Sequence, residues 1–374
     1  MNARLKELLS HLAATLTLER EREIAARHEC TLRHEPVDRL PLITVYPFPS
    51  QCQWQPFPHR EVFDDPEKML FNELLSAWGT SIVHRAQVGD DLPATIRADF
   101  GTVLVASVFG SHVEQLGDDP PWAEPLASRE QLVEAMRRGP VGLDDGLLPR
   151  VVERLRVFRD LLDQFPPLPE IIKITLPDLQ GPLDTLEMLC GSELYADLAE
   201  VPEQVAPWLD TVAAAQVAIA RALQPLVNDG TDGFTHQHGF MIHGNVLIRD
   251  DSAIMLSPSM YCKQIAPHDE RVLSELGGGG IHSCGKFMHN VPGLLGVPSL
   301  RCLDFGQSHM NDVDAVYVQA RVRRIGLVRV RVMREELTSG SIHRRFPTGV
   351  TLLYPATSIE EAREVVAAYR KTAG

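Results

Sequence analysis

The sequence predicts an α/β fold, a single (β/α)8 barrel over residues 41–374 behind an N-terminal helical extension over residues 1–40. Short apolar runs alternate with amphipathic helical segments, which is typical of a parallel sheet wound by right-handed crossovers. Roughly six to eight such runs fit a chain of this size, and no GxGxxG turn follows the first run. A closed barrel is therefore favoured over a dinucleotide-binding sheet.

The predicted elements follow in chain order. LKELLSHLAATLTLEREREIAARHECTLRH has helical spacing, PVDRLPLITVYPF is a β-rich run closed by prolines, and DPEKMLFNELLSAWG returns to helix. IRADFGTVLVASVFGSHVEQL is interpreted as two short strands joined near a glycine. Three further helices are predicted in SREQLVEAMRR, LLPRVVERLRVFRDLLDQF and VPEQVAPWLDTVAAAQVAIARALQPLV. The remaining apolar runs are EIIKITLPDL, DGFTHQHGFMI, GGIHSCG, SLRCLDFG, GLVRVRVM and GVTLLYP.

Charge and composition limit the classes of partner. The chain of 374 residues has a formal net charge of -14 and a pI near 5.5, a field that repels nucleic-acid phosphates and anionic membrane surfaces. No segment approaches roughly eighteen uninterrupted apolar residues, and the N-terminus lacks a signal-peptide apolar run. We therefore expect a cytoplasmic protein whose partner is a small molecule or another protein.

Polar side chains follow several consecutive apolar runs, at the strand ends where a barrel carries its chemistry. His282 and Cys284 lie two residues apart in GGGGIHSCGK, so in a strand they would face the same side and offer an imidazole nitrogen and a thiol to a metal. A polar pocket wall is the alternative. The other candidates are Asp178 and Gln180, then His236, His238, His243, Arg249, Asp250, Asp251 and Ser252, and finally Gln307, His309, Asn311 and Asp312.

Several of these residues have structural alternatives. Asp178 and Gln180, like Gln307, Asn311 and Asp312, could cap the helices that follow them, since polar residues favour helix starts. Arg249 with Asp250 and Asp251 could recognise a carboxylate or could form a structural ion pair. Both readings remain open from the sequence.

The motifs VDRLPLITV, DDLPATIRADFG, DLQGPLDTLEMLCG, DSAIMLSPSMYCKQIAP, GIHSCGK and GVTLLYPATSIEEAREVV occur in this order over nearly the whole chain. With them the sequence resembles the uroporphyrinogen decarboxylase superfamily, most specifically in HSCG and LSPSMY. The resemblance implies one (β/α)8 barrel with its site at the C-terminal mouth. Where the decarboxylases carry an arginine-rich motif for a polycarboxylate substrate, this chain has PLITVYPFPSQCQWQPF, without paired arginines.

The resemblance is closer to the zinc-dependent methyltransferases of this superfamily, which move a methyl group between a corrinoid and a thiol. His282, Cys284 and Gly285 match their His-x-Cys-Gly, so the resemblance implies zinc, a corrinoid such as methylcobalamin as donor or acceptor, a small-molecule thiol or other methyl acceptor, and a corrinoid protein as partner. The family's third ligand, a cysteine near the last strand, is absent from GVTLLYPATS. His238 is the expected replacement, with His236, His243, His309 and Cys302 in reserve.

Two other functions remain open. The candidate catalytic residues are Asp178, Arg249 and Asp251, and the candidate substrate-binding residues are Gln180, Gln307, Asn311 and Asp312. A metal-independent lyase would use Asp178, Arg249 and Asp251 to stabilise charge on a carboxylated substrate. A non-catalytic barrel would bind a corrinoid or tetrapyrrole and deliver it. His238-Gly239, Arg249 to Ser252, His282 to Lys286, Gln307 and Asn311-Asp312 also resemble a set within the superfamily that implies the fold and no particular substrate.

Overall fold

A computed structural model describes residues 1–75, 81–137 and 141–373. It is a mixed α/β structure in which a parallel sheet is surrounded by helices. The strands are β1 (Leu42–Val45), β2 (Thr95–Arg97), β3 (Val113–Glu114), β4 (Trp122–Ala123), β5 (Lys173–Thr175), β6 (Phe234–Gln237), β7 (Phe240–His243), β8 (Val246–Arg249), β9 (Gly279–Ser283), β10 (Leu300–Phe305), β11 (Gly326–Arg331) and β12 (Val350–Pro355).

Helices precede the first strand and follow or separate the others. The first ten are α1 (Ala3–Thr15), α2 (Leu18–Leu32), α3 (His59–Val62), α4 (Pro66–Leu75), α5 (Arg85–Val88), α6 (Leu104–Val108), α7 (Arg129–Arg137), α8 (Leu148–Leu162), α9 (Leu168–Ile171) and α10 (Pro182–Cys190). The others are α11 (Glu193–Glu200), α12 (Pro202–Leu223), α13 (Pro258–Met260), α14 (Ala266–Glu275), α15 (Val291–Leu294), α16 (Val313–Val322), α17 (Arg334–Thr338), α18 (Ser341–Arg345) and α19 (Ile359–Arg370).

The main sheet contains six parallel strands in the order β1-β12-β11-β10-β9-β8, so the last strand of the chain pairs with the first. Strands β2 and β5 form a separate parallel pair. The expectation of a closed barrel is therefore met only in part, because the strand ladder of the described residues is broken between β1 and β2 and between β5 and β8. The arrangement is barrel-like.

Side chains take over the hydrogen bonding at both breaks. Asp90 and Asp91 accept the backbone N–H groups of Thr44 and Leu42 at 2.9 and 3.1 Å, where a closed ladder would use carbonyl groups of β2. At the other break the Asn228 side chain accepts the N–H of Ile174 at 2.6 Å. Buried strand amides need partners, and these polar side chains supply them.

The run DGFTHQHGFMI does not form a strand of the outer sheet. It folds as the antiparallel hairpin β6–β7, with His238 and Gly239 as its two turn residues. Both have positive φ, 52° and 76°, as a type I′ turn requires. Ile242 would lie 2.9 Å from a Cβ on Gly280, a position on the same face of β9 as His282, so β7 packs inside the barrel. The hairpin thus fills the interior below the strand ends.

Two other predictions need correction or restriction. The apolar stretch 104–108, expected as a strand, is the buried helix α6, since periodicity cannot distinguish strand from helix in a short run that is apolar throughout. The predicted helices at DPEKMLFNELLSAWG and SREQLVEAMRR are present as α4 and α7, and their last parts, residues 76–79 and 138, lie outside the described residues. None of the described helices is both long and apolar enough to cross a membrane.

Candidate metal centre at the strand ends

Neighbouring strands bring the candidate residues into one layer. Arg249 on β8 is in register with His282 on β9, and His282 is in register with Asp304 on β10. Residues in register on parallel strands point the same way, so these three side chains face the barrel interior together. All three are buried. This layer lies near the carboxyl ends of the strands, where barrel enzymes carry their chemistry.

His282, Cys284 and Asp251 form a compact group of metal-ligand types. Their ligand atoms all lie within 4.8 Å of one another. His282 Nε2 lies 3.3 Å from Cys284 Sγ and 3.6 Å from Asp251 Oδ1. His282 is almost fully buried, whereas the Asp251 side chain is 37% exposed, so the group opens toward solvent on the Asp251 side.

Asp304 and Arg329 hold the His282 ring from behind. Nδ1 of His282 lies 2.9 Å from Asp304 Oδ2, and Arg329 forms an ion pair with the same carboxylate. Burial alone would raise the pKa of Asp304, but Arg329 and His282 outweigh it and keep this pKa far below its usual range. Burial lowers the pKa of His282 despite Asp304. Arg329 Nη2 also lies 2.7 Å from His282 Nδ1. In the tautomer with its proton on Nδ1, the neutral ring would donate to Asp304 and leave the Nε2 lone pair directed at Cys284 and Asp251.

The loop after β9 is fixed around Cys284 by residues that the sequence analysis assigned to substrate binding. Gln307 Oε1 accepts the N–H of Gly285 at 2.5 Å, and Asn311 accepts the N–H of Phe287 at 3.1 Å. The Cys284 N–H is donated to Asp251 Oδ1 at 2.6 Å. Gln307 and Asn311 therefore shape the loop that carries Cys284.

Gly306 and Asp312 lie in the segment after β10, next to this loop. A Cβ on Gly306 would overlap Cys284 Sγ, so only glycine leaves room for the sulfur at the end of β10. Asp312 is exposed and caps α16 by accepting the N–H of Ala315 at 3.0 Å. The structure thus places Asp312 in the capping role that the sequence analysis kept open.

A second network lies beside the first, around Asp178. Arg249 Nε donates to Asp178 Oδ2 at 2.6 Å, and Arg97 Nη1 lies 3.7 Å from the same oxygen. Burial would raise the pKa of Asp178, but Arg249, His238 and Arg97 lower it far below its usual range. Gln180, whose φ is 49°, follows Asp178 and donates its backbone N–H to that carboxylate at 3.0 Å.

His238, the expected third metal ligand, belongs to this second network. Its Nε2 lies 3.1 Å from Arg97 Nη1, contacts Arg249 Nη2 and is 3.5 Å from Asp178 Oδ2. Burial and the nearby Arg97 lower its pKa well below the usual value, so the ring is neutral and its Nε2 accepts from the two arginines. The hairpin turn, rather than a strand beside β9, carries His238, and this places it apart from the His282 group.

The reserve ligands also lie elsewhere among the described residues. His236 Nδ1 lies 2.9 Å from Asp229 Oδ1, and His243 stacks on Phe234 with a ring separation of 5.0 Å. Cys302 is buried and accepts the N–H of His243, while His309 is exposed in a turn after β10. The residue that lies beside His282 and Cys284 is Asp251 instead.

Asp251 is held by an acidic residue that the sequence analysis did not single out. Asp184 accepts the N–H groups of Asp251 and Ser252, each at 2.9 Å. Asp250 points the other way, into the helix layer, where burial and the Asp269 carboxylate raise its pKa far above the usual range. Of the pair Asp250-Asp251, therefore, one residue faces the helices and the other faces His282.

Backbone strain is concentrated at these two networks. Five described residues other than glycine have positive φ, and three of them, Gln180, His238 and Arg329, belong to the site. Such conformations cost of the order of 1–3 kcal/mol each and persist where the surroundings fix them, often at functional sites. Arg329 has φ of 61°, which turns its side chain toward Asp304.

Sequence reasoning missed Asp304, Arg329, Arg97 and Asp184. The signal was available for the first three, since each is a charged residue inside or beside a predicted buried run. A charge in such a run needs a partner of opposite charge, which makes it a site candidate. Asp184 lies within the helical segment PLDTLEMLCG, where no pattern separates it from a solvated helix residue.

Most of the chain is similar in fold to a protein of known structure. A methyltransferase from Methanosarcina mazei superposes with a TM-score of 0.64 at 15% sequence identity, covering 94% of this chain and 99% of that chain. No protein-family model matches the sequence, and no curated protein matches it. At this identity the similarity is one of fold.

Proposed function

We propose that this protein is a methyltransferase of one-carbon metabolism that moves a methyl group between a corrinoid and a metal-activated thiol. The observation that carries the proposal is the group of His282, Cys284 and Asp251, with ligand atoms within 4.8 Å of one another and one side toward solvent. The fold shared with the Methanosarcina mazei methyltransferase supports the reaction class.

The donor set fits zinc in type, spacing and charge. Ligands at roughly 2.0–2.3 Å from a tetrahedral ion are separated by roughly 3.3–3.8 Å, and the two distances from His282 Nε2 are 3.3 and 3.6 Å. A thiolate and a carboxylate would balance the two charges of Zn²⁺. Three protein ligands with a fourth position left for solvent or substrate are typical of catalytic rather than structural zinc sites.

Zinc bound there would supply the chemistry that a thiol lacks at neutral pH, by favouring its deprotonated, nucleophilic form. The protein's own residues orient the group. Asp304 holds the Nδ1 proton of His282, Arg329 neutralises Asp304, and Asp184 fixes the backbone beside Asp251. In this proposal Asp178, Arg249, His238 and Arg97 form the adjoining polar wall of the substrate cavity.

A corrinoid protein is the proposed partner, and exposed apolar side chains support this. Met255, Met310 and Met333 follow β8, β10 and β11 at the carboxyl-end rim, and they are 68, 47 and 61% exposed. Methionine adapts its shape to different surfaces and is common at binding faces. A bulky corrinoid carrier could therefore rest on this rim and present its cofactor to the mouth.

The decisive experiment measures zinc in protein purified without a metal-affinity tag. We expect about one zinc per chain, because the three donors fit one ion, and we expect its loss in Cys284→Ala and Asp251→Ala. Cys262→Ala, which removes an exposed cysteine elsewhere, is the matched control and should keep its zinc. His238→Ala should keep zinc as well. A wild type without zinc, even after anaerobic reconstitution, would refute the metal centre.

Activity is tested with methylcobalamin and a panel of thiols that includes 2-mercaptoethanesulfonate. We expect demethylation of the corrinoid, followed by absorbance, with formation of the thioether, and neither in Cys284→Ala. Zinc binding without transfer to any thiol or other acceptor would keep the metal centre and reject the reaction.

The rival lyase makes a different demand on the same cavity. Arg249 and Asp178 already pair with each other, so a carboxylated substrate would have to displace Asp178 from the guanidinium. Such a lyase would release carbon dioxide after complete removal of metal by a chelator. Metal-independent release of carbon dioxide would favour it over methyl transfer.

A further inference from the structure

A cavity lies at the end of the barrel where the strands begin, opposite the group of His282, Cys284 and Asp251. It has a volume of about 320 Å³. Its walls come from the C-terminal end of α2, the end of β7, the start of β10 and the turn between α16 and β11. We call it the arginine cleft; it is lined by Arg33, Glu35, His243, Pro298, Leu300, Arg301, Arg323 and Arg324.

The charge of the arginine cleft is opposite to that of the molecule. Four arginines and one glutamate line it, a formal charge of 4 − 1 = +3 within a chain of net charge -14. Glu29 is another carboxyl group near Arg33. Burial raises the pKa of Glu29, although the Arg33 guanidinium acts to lower it. An anion would be attracted here in spite of the overall field.

The four arginines make no ion pair with any carboxylate of the described part of the chain. Arg324 donates to the backbone carbonyl of Arg33, and Arg33 lies over the Phe234 ring at 4.7 Å. These contacts orient guanidinium groups without neutralising them. By contrast, Arg20, Arg27 and Arg39 at a neighbouring surface share the Asp91 carboxylate. Unneutralised guanidinium groups converging on one cavity are suited to bidentate binding of phosphate oxygens.

Local backbone supports the position of Arg301. Gly278 has φ of 92°, and a Cβ there would overlap Arg301 Nε, so the glycine run before β9 leaves space for this arginine to lie across it. Arg324 has φ of 55°, one of the two positive values outside the metal-site networks. Leu300, Pro298 and the neutral, stacked ring of His243 give the cleft an apolar wall beside its charges.

We propose that the arginine cleft binds a small phosphate-bearing anion that also has an aromatic or apolar part, such as a nucleoside diphosphate. The guanidinium groups of Arg301 and Arg323 contact the phosphates, and Pro298, Leu300 and His243 contact the remainder. A volume of about 320 Å³ lies within the range of small-molecule sites. The site is separate from the proposed metal centre, since Arg301 is the second residue of β10 and Asp304 lies roughly 10 Å further along the strand.

The test is calorimetric titration of the full-length protein with ADP, pyrophosphate and citrate at roughly physiological ionic strength, which suppresses non-specific ion binding. We expect ADP to bind with one site per chain, and more tightly than pyrophosphate because of the apolar wall. Arg301→Gln with Arg323→Gln should weaken ADP at least tenfold, while Arg344→Gln with Arg363→Gln, exposed arginines outside the cleft, should leave it unchanged. Cys284→Ala should also bind ADP normally, which separates this site from the proposed metal centre.

Three results would overturn the proposal. Absence of binding by all three probes at millimolar concentration would exclude an anion site. Equal weakening by the two arginine pairs would show general charge attraction, and tighter binding of citrate than of both phosphate compounds would reject the phosphate class. If the Arg301→Gln and Arg323→Gln protein unfolds, Arg323→Gln alone, at an exposed position, provides the same comparison.

Discussion

The three residues after Ile248 show how closely adjacent side chains can differ in surroundings. Arg249 faces the barrel interior and pairs with Asp178, Asp250 faces the helix layer beside Asp269, and Asp251 turns to His282 and Cys284. Strand alternation explains the first two directions. The third depends on the turn that Asp184 stabilises, so one charged tripeptide serves three different environments.

Gly306 provides a steric test of the metal centre at a single atom. Gly306→Ala would bring a methyl group into steric overlap with Cys284 Sγ, and we expect it to displace the sulfur and abolish zinc binding, with little loss of overall fold. Zinc content and circular dichroism measure the two effects. Gly142→Ala, where the nearest atom to an added Cβ is 3.8 Å away, is the control and should retain zinc. Full zinc in Gly306→Ala would mean that Cys284 is not a ligand.

Asp304→Asn tests the residue behind His282. The asparagine amide carries no negative charge, so it holds the proton on His282 Nδ1 less firmly and no longer fixes one tautomer of the ring. We therefore expect zinc affinity to fall by roughly 10–100-fold. Competition with a chromophoric chelator gives the affinity. Because the substitution also leaves Arg329 without its carboxylate, the double variant Asp304→Asn with Arg329→Met controls for the buried charge. Restored affinity in the double variant would contradict a direct role for Asp304.

At the scale of residues, the sequence predicts which side chains of one segment lie side by side, but not which residue of another segment joins them. The interval of two residues correctly placed His282 and Cys284 beside each other, because alternation along a strand is a local property. The residue that joins them from another segment is Asp251, whereas His238 was expected. Whether Asp251 or His238 approaches His282 depends on strand register and on a hairpin turn, and neither is set by spacing within one segment.

At the scale of elements, the run DGFTHQHGFMI illustrates the limit of apolar patterns. An interior hairpin is surrounded by apolar neighbours on several sides, so it has the same composition as a buried parallel strand. The available signal was the dipeptide His238-Gly239, since two consecutive positive-φ residues of which one is glycine favour a two-residue turn. This dipeptide indicates that His238 lies in a turn and not on a strand beside β9.

Asp91 attaches the helical extension to the first strand, and it predicts a pH effect. Its buried carboxylate pairs with Arg20 and Arg27 of α2 and with Arg39, and it accepts the N–H of Leu42. Burial would raise the pKa of Asp91, but Arg39 and Arg27 lower it to about 2. An unfolded aspartate has a pKa of about 3.9, so the network stabilises the fold above that pH by roughly 2–3 kcal/mol and loses this contribution as the pH falls through about 2.

We therefore expect Asp91→Asn to lower the free energy of unfolding at pH 7 by about 3 kcal/mol or more, since it leaves the buried Arg39 without its carboxylate partner. The difference from wild type should shrink as the pH falls toward 2. Urea unfolding at several pH values measures it. Asp38→Asn, which removes the largely exposed partner of Arg27, should cost less than about 1 kcal/mol. A difference that stayed constant down to pH 2 would show that charge on Asp91 is not the cause.

For the whole molecule, the alternation of apolar runs and helices was sufficient to predict a barrel-like arrangement with its polar residues at the carboxyl ends of the strands. It could not predict closure. The two breaks in the ladder depend on Asp90, Asp91 and Asn228 replacing backbone partners, and side-chain substitutions of this kind leave no periodic trace. The two ends of the barrel also differ in their side chains, with the group of His282, Cys284 and Asp251 at one end and the arginine cleft at the other.

The exposed methionines of the carboxyl-end rim give a prediction that involves the whole molecule and its partner. Met255 and Met333 are apolar and 68 and 61% exposed, so apolar contact would carry much of the docking energy on this rim. We expect Met255→Glu with Met333→Glu to raise KM for a corrinoid presented by its carrier protein at least tenfold. The rate with free methylcobalamin should stay unchanged, because neither side chain belongs to the His282 group.

Steady-state kinetics with carrier-bound corrinoid and with free methylcobalamin measure these two effects. Val322→Glu is the matched control, since Val322 is 84% exposed at the end of α16, away from the rim. This variant adds one negative charge to an apolar surface position without touching the rim, and its KM for the carrier protein should equal that of wild type. If free and carrier-bound corrinoid lose activity together, the two methionines affect the site itself. If neither donor is affected, the carrier docks on another face, because introducing two carboxylates into an apolar contact would carry a large desolvation cost.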